Sequence, residues 1–129
     1  MSTRPSNPEI CKKVGDALKA IEAGRCYLGV TKHLLSDFAA LNIGSEDELW
    51  AILPTLLKEI RISDPITSYA GQFPPVKSYD EEMKGIELWP YRWPSTTLGK
   101  EMWLKFGMKK DRKGDWHYVH VDVHENRPK

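Results

Sequence analysis

Two runs near the C-terminus alternate with a period of two, and they restrict this chain to folds that contain an antiparallel hairpin. From Glu101 to Met108, the residues Met102, Leu104, Phe106 and Met108 fall on one side, and Trp103, Lys105 and Gly107 on the other. From Trp116 to His124, one side carries His117, Val119, Val121 and Val123, and the other Trp116, Tyr118, His120, Asp122 and His124. Between them lie Lys109, Lys110, Asp111, Arg112, Lys113, Gly114 and Asp115, too polar for a core and rich in turn formers. The expected hairpin spans 98–125. If its apolar sides pack together, Trp103 and Lys105 share a surface with Tyr118, His120, Asp122 and His124.

Helical signals precede the hairpin. Residues 1–6 read as a polar tail, after which Asn7 and Pro8 suit a helix start: the Asn side chain accepts orphan N–H groups and Pro at the first position loses no bond. Ile10, Val14, Leu18 and Ile21 make an apolar stripe that Gly24 closes as a left-handed cap. Arg25 to Gly29 reads as a connector. Val30, Leu34, Phe38 and Leu41, with Leu35 beside them, predict a second helix that ends at Gly44. Ser45 and Glu48 then form an S-x-x-E capping box ahead of Leu49, Ile52, Leu53, Leu56, Leu57 and Ile60. Pro54 inside this third helix removes the bond to the Trp50 carbonyl, so a bend or a shifted start is expected. The helical part is 7–62.

From 63 to 94 the prolines 65, 74, 75, 90 and 94 exclude a long helix. Ile86 to Trp93 suits a strand, but Pro90 cannot donate to a ladder and belongs at an edge or a bend. The expected architecture is α+β in a single domain over 1–129, three N-terminal helices on one face of a C-terminal antiparallel sheet. A chain of 129 residues with 40% hydrophobic and 29% charged residues has material for one core and is not of disordered composition. Cys11 and Cys26 form no disulfide framework, no signal-like apolar segment opens the chain, and no window is long enough to span a bilayer. A cytoplasmic protein without a membrane partner is therefore expected.

The formal charge of +1 argues against a surface coated in positive charge. The basic residues are nevertheless clustered. Between Lys84 and Lys113 there are eight (Lys84, Arg92, Lys100, Lys105, Lys109, Lys110, Arg112, Lys113) against the three acids Glu87, Glu101 and Asp111. Interleaved with Trp89, Tyr91, Trp93 and Trp103, this is the composition of a surface for single-stranded nucleic acid, where cations follow phosphate and rings stack on bases. It is equally the composition of a solubilising loop beside core aromatics. His117, His120 and His124 do not make a metal site: His120 and His124 stand about 13 Å apart on one strand and His117 faces the other way. Zinc ligands must converge to about 2 Å from the ion. Solvent-face histidines or proton-transferring ones remain as alternatives, the second with Lys105 and Arg92 at phosphate. No nucleophile elbow, P-loop or dinucleotide fingerprint is present, and no cofactor is expected.

Ala23-Gly24, Leu34-Leu35, Leu41, the apolar face of the third helix, Trp89-x-Tyr91, the run Gly99-Lys-Glu-Met-Trp-Leu-Lys-Phe106 and the closing Asp122-Val-His-Glu125 together resemble the motility quorum-sensing regulator toxins of the RelE-like group. The resemblance implies a RelE-like α+β fold. It also implies metal-independent mRNA cleavage through attack by the ribose 2′-hydroxyl, and inhibition by a cognate antitoxin protein. On it, His124 stands where the family has a lysine and Trp103 where it has a tyrosine, Pro90 replaces a glutamine, and Lys77 is the candidate for the lysine ahead of the sheet. The expected working residues are therefore His124 or His120 for proton transfer, with Lys105 and Arg92 at phosphate. Trp103, Tyr91 and Trp89 are the expected stacking rings, and Lys77, Lys109, Lys110 and Arg112 line the path of the strand. The alternative is a non-catalytic, immunity-type interaction protein that docks a protein partner through its aromatic patch.

Overall fold

The computed structural model describes residues 7–29, 34–71 and 86–126, and the element order is helical first and sheet last. Helix α1, Asn7–Glu22, buries Ile10, Val14, Ala17, Leu18, Ala20 and Ile21, which include the whole predicted stripe. It stops at Gly24, whose φ of 77° only glycine adopts freely. There the Gly24 N–H donates to the Ile21 carbonyl and the Arg25 N–H to that of Ala20, the paired bonds of a Schellman end.

The next residues depart from expectation. Cys26–Leu28 is a strand, β1, where a connector was predicted; three residues are too few to display a period of two. Helix α2 is described over Leu34–Leu41, and Val30 lies outside the described residues. Its cap is Asn42 at φ 58°, two residues before the expected Gly44, because the Ile43 N–H reaches back to the Phe38 carbonyl. Leu35 is 82% exposed, off the apolar stripe.

Helix α3, Glu46–Ser63, starts at Ser45, whose extended backbone lets Oγ accept the Glu48 N–H at 3.3 Å. The Glu48 carboxylate accepts from the Gly44 N–H, closing the capping box one residue upstream of the usual donor. The helix continues through Pro54 and buries Leu49, Leu53, Leu56, Leu57 and Ile60. A single-turn helix that the sequence did not suggest, α4 at Pro65–Ser68, follows Asp64, whose carboxylate accepts from the Ile66 N–H and the Thr67 hydroxyl. Among the described residues, no helix is long and apolar enough to cross a membrane.

Strands β2 (Leu88–Ser95), β3 (Lys100–Lys110) and β4 (Trp116–Glu125) complete a four-stranded sheet in the order β1-β4-β3-β2. β2 lies at the edge, as its two prolines require, and the Pro90 carbonyl accepts the Ala70 N–H at 3.0 Å. The sheet is mixed, not antiparallel throughout: β1 pairs with β4 in parallel, Cys26 opposite Tyr118 and Leu28 opposite His120. A strand from the start of the chain can reach one from its end in either direction, because all the intervening elements lie between them.

One face of this sheet carries the helices. Trp89, Tyr91 and Trp93 from β2, Met102, Leu104, Phe106 and Met108 from β3, and Tyr118 and Val123 from β4 pack into one core with α1 and α3. Rings form a ladder across it, Tyr91 stacked on Phe106 at 5.8 Å and Phe106 on Tyr118 at 5.2 Å. The Tyr91 hydroxyl donates to the Ile10 carbonyl at 2.8 Å. At the β2–β3 turn the Glu59 carboxylate of α3 accepts from Trp93 Nε1, the hydroxyls of Ser95, Thr96 and Thr97, and the Thr97 N–H. Partial burial pushes this carboxyl up, but the bonds from Ser95, Thr97 and Trp93 outweigh it and hold it at about 2.

Candidate nucleic-acid interface

The strand that decides the site is β4, and it is broken. Lys105 lies opposite Asp122, yet Phe106 lies opposite His120, so Val121 is an extra residue, a β-bulge. Each side of the bulge keeps the period of two, but the phase reverses. Tyr118 and His120 turn inward beside Met108 and Phe106, while His117 and Val119 turn outward. Beyond the bulge Val123 is inward, and Asp122 and His124 are outward. The expected surface shared by Trp103, Lys105, Tyr118, His120, Asp122 and His124 is therefore half present: Tyr118 and His120 leave it for the core.

The two halves are held by different elements. β1 ties down the first: the Tyr118 N–H donates to the Arg25 carbonyl and the Gly29 N–H to that of His120. The second is reached from α2, where the buried Asp37 carboxylate accepts the Val123 N–H.

On the outer face, register builds a row across three strands, with Arg92 opposite Trp103 and Trp103 opposite His124. The next row is Pro90, Lys105 and Asp122. Trp103 is fixed in place: its Nε1–H donates to Asp122 Oδ1 at 3.1 Å, and its ring stacks on His124 with centroids 6.2 Å apart and planes 14° off parallel. His124 Nδ1 lies 2.8 Å from the Glu125 carbonyl. A carbonyl only accepts, so Nδ1 carries the hydrogen, and in the neutral ring Nε2 holds the lone pair that can take a proton. Arg92 sits at 3.6 Å from Glu101, both more than half exposed, a contact that leaves the guanidinium open to solvent and is weak in water. Lys105 is partly exposed, and among the described residues it forms no ion pair. The arrangement puts on one face of the sheet the exposed Arg92 and the half-buried Lys105, Trp103 and His124, the last with an Nε2 that has no hydrogen-bond partner among the described residues.

Other expected residues lie elsewhere. His120 is 1% exposed, with its Nδ1 hydrogen-bonded to the Tyr118 hydroxyl at 3.1 Å and the Trp50 ring edge-on at 6.3 Å. Burial drives its basicity down to about 4, so it is neutral at pH 7 and walled off from solvent. Tyr91 and Trp89, at 0% and 1% exposure, are core rings with no face open to a base. Lys109 and Lys110 end β3 on opposite faces: Lys109 opposite His117, and Lys110 with its Nζ 5.4 Å from the Trp116 ring centroid. Arg112 is exposed in the loop, and Lys77 lies outside the described residues. Asp122 as the anchor of Trp103 was not anticipated. Its place two residues before His124 on the same face is the signal that points to it once the strand pairing is known. Among the described residues, no group of three or more His, Cys, Asp or Glu side chains stands close enough to hold a metal ion.

Compared with protein-family profiles, with curated proteins and with solved structures, the chain matches none.

Proposed function

We propose that this protein is a toxin-type endoribonuclease that lays single-stranded RNA across the outer face of its sheet and cleaves it without a metal ion. The observation that carries this reading is the row Arg92, Trp103, His124 with Lys105 beside it. In the proposed reaction His124 Nε2 takes the proton of a ribose 2′-hydroxyl, and the oxygen attacks the adjacent phosphorus. The P–O5′ bond breaks, and the leaving 5′-oxygen takes a proton from water. The products are a 2′,3′-cyclic phosphate and a 5′-hydroxyl. Lys105 and Arg92 stabilise the charge that builds on the phosphoryl oxygens. Trp103, whose N–H is engaged by Asp122, stacks on a base and transfers no proton. His120, buried and neutral, takes no part.

A protein-docking role through an aromatic patch has less support, because Trp89, Tyr91 and Trp93 are inside the core. The partners this reading implies are mRNA and a cognate antitoxin that masks the same face, in the cytoplasm. Purified protein incubated with mRNA in EDTA should give fragments with 5′-hydroxyl ends, and His124→Ala should slow the cut by a factor on the order of 100. Uncut transcript at high protein concentration, or a His124→Ala variant as fast as the parent, removes the reading.

A further inference from the structure

At the opposite end of the same sheet face lies a second cluster that the proposed cleavage does not use. A pocket of about 230 Å³ is lined by Tyr27, Lys109, Asp111 and His117. Four separate pieces of chain build it: β1 supplies Tyr27, the end of β3 supplies Lys109, the loop supplies Asp111, and the start of β4 supplies His117. Lys109 and His117 are direct cross-strand neighbours. His117 and His124 are seven positions apart on β4, so roughly 20 Å separates this pocket from the Trp103–His124 row.

Its polar groups are organised. Asp111 Oδ1 accepts the backbone N–H groups of Lys113 and Asp115, and Oδ2 lies 2.9 Å from His117 Nε2. The bond from His117, with those from the two N–H groups, keeps the carboxyl at about 2, so Asp111 is ionised at neutral pH and only accepts. Nε2 therefore carries a hydrogen, the ring is held in one orientation, and its Nδ1 is left for a ligand, donating when the ring is protonated. Among the described residues Lys109 has no ion pair. The exposed Arg112 and Lys113 follow in the loop next to Asp111 and add positive charge near the pocket. Asp111, the one acid in the lining among the described residues, is engaged by these bonds. Tyr27, 39% exposed, contributes an aromatic wall.

We propose that this pocket binds a nucleoside phosphomonoester, with the phosphate on Lys109 and His117 and the base against Tyr27. The Lys109 ammonium, with the His117 imidazole as its cross-strand neighbour, favours a phosphomonoester, which carries nearly two negative charges at neutral pH, over a singly charged phosphodiester. The volume sits below the roughly 300–1,000 Å³ of sites that enclose drug-sized ligands, so the pocket holds the phosphate and one face of the base and leaves the rest of the ligand in solvent. The pocket does not depend on cleavage at the far row; it is equally usable by a protein that never cuts RNA. Its ligand has two sources, a free mononucleotide or the phosphorylated end of an RNA strand.

The test uses the full-length His124→Ala chain, so that no probe is consumed, with inorganic phosphate, uridine, 5′-UMP, 3′-UMP, and tetrauridylate with and without a 5′-phosphate. Binding is followed by the His117 ring protons in NMR and by equilibrium titration. At least one phosphorylated probe should shift the His117 signals and bind ten-fold or more tightly than its unphosphorylated counterpart. Lys109→Ala and His117→Gln should each weaken it five-fold or more, and Tyr27→Leu should weaken nucleotides but not inorganic phosphate. Tight binding of a UMP assigns the ligand to free nucleotides, and tight binding of the phosphorylated tetramer alone assigns it to RNA ends. Equal affinity with and without the phosphate, or unchanged affinity in folded Lys109→Ala and His117→Gln variants, overturns the proposal. Because cleavage is read separately, on mRNA with native His124, either result can fail without the other.

Discussion

His120 and His124 sit four residues apart on one strand and have opposite fates. His120 is sealed in the core against Tyr118 and Trp50 and is neutral well below pH 7. His124 is on the outer face, stacked on Trp103, with one ring nitrogen tied to the backbone and the other without a partner among the described residues. Residues at i and i+4 of an uninterrupted strand share a face; here the single extra residue Val121 separates them. The chemistry available to a side chain is therefore set by the phase of the strand at that point. Residue type alone makes the two histidines equivalent.

The strongest way to break this comparison is to delete Val121. Without the bulge one half of β4 must change face, so either Asp122 and His124 enter the core or Tyr118 and His120 leave it. Burying a charge or emptying the Tyr118 site should cost more than about 4 kcal/mol, enough to lower the midpoint of thermal unfolding by at least about 10 °C. A deletion variant that melts within a few degrees of the parent would show that the bulge is dispensable.

A smaller effect separates the two histidines by pH. His120 has a folded-state value near 4 against 6.5 when unfolded, so the unfolded chain binds the extra proton first. The stability that comes from keeping the ring neutral is complete above pH 6.5 and is lost as the pH falls toward 4. The loss is on the order of 3 kcal/mol. Urea unfolding at pH 7 and pH 4.5 measures it. His120→Gln should be less stable at pH 7 but should flatten this slope, whereas His124→Gln should retain it. A slope that disappears with His124 instead would reverse the assignment.

The smallest expected effect concerns what holds the outer row together. If Asp122 anchors Trp103, a double-mutant cycle of Trp103→Phe with Asp122→Ala should give a coupling of about 1 kcal/mol, and Tyr118→Phe with Asp122→Ala much less. Zero coupling in the first pair means the tryptophan is held by its stacking on His124 alone.

Much of the framework was legible from residues. The apolar stripe of α1 and the capping box of α3 are local patterns, and each lies where its residues bury or cap. Pro90 restricted its strand to an edge or a bend because it cannot donate to a ladder, and β2 is at the edge. Alternation placed Trp103, Lys105, Asp122 and His124 on one face, as found, but also put Tyr118 and His120 there; Arg92 joins the row only through the pairing of β2 with β3. What alternation does not show is a change of phase. From Tyr118 to His124 the chain reads Tyr-Val-His-Val-Asp-Val-His, unbroken, and either phase places a plausible set of residues inward. Trp89, Tyr91 and Trp93 pose the same ambiguity on β2, since large rings suit a core and a binding surface alike; packing on α1 and α3 assigns them to the core.

The sequence by itself determined the helix spans of α1 and α3, the confinement of Pro90 to an edge or a bend, the hairpin of β3 and β4, and a concentration of positive charge at the C-terminal end. All of these depend on contacts within a turn or two, or on what proline cannot do. Only the tertiary structure decided that β1 joins the sheet in parallel, that the bulge falls at Val121, and that Tyr27, Lys109, Asp111 and His117 meet in one pocket. These depend on residues as much as 92 positions apart, as in the pairing of Cys26 with Tyr118. Strand register and direction are settled by which side chains can be buried together across neighbouring strands, a choice that no short window of sequence contains.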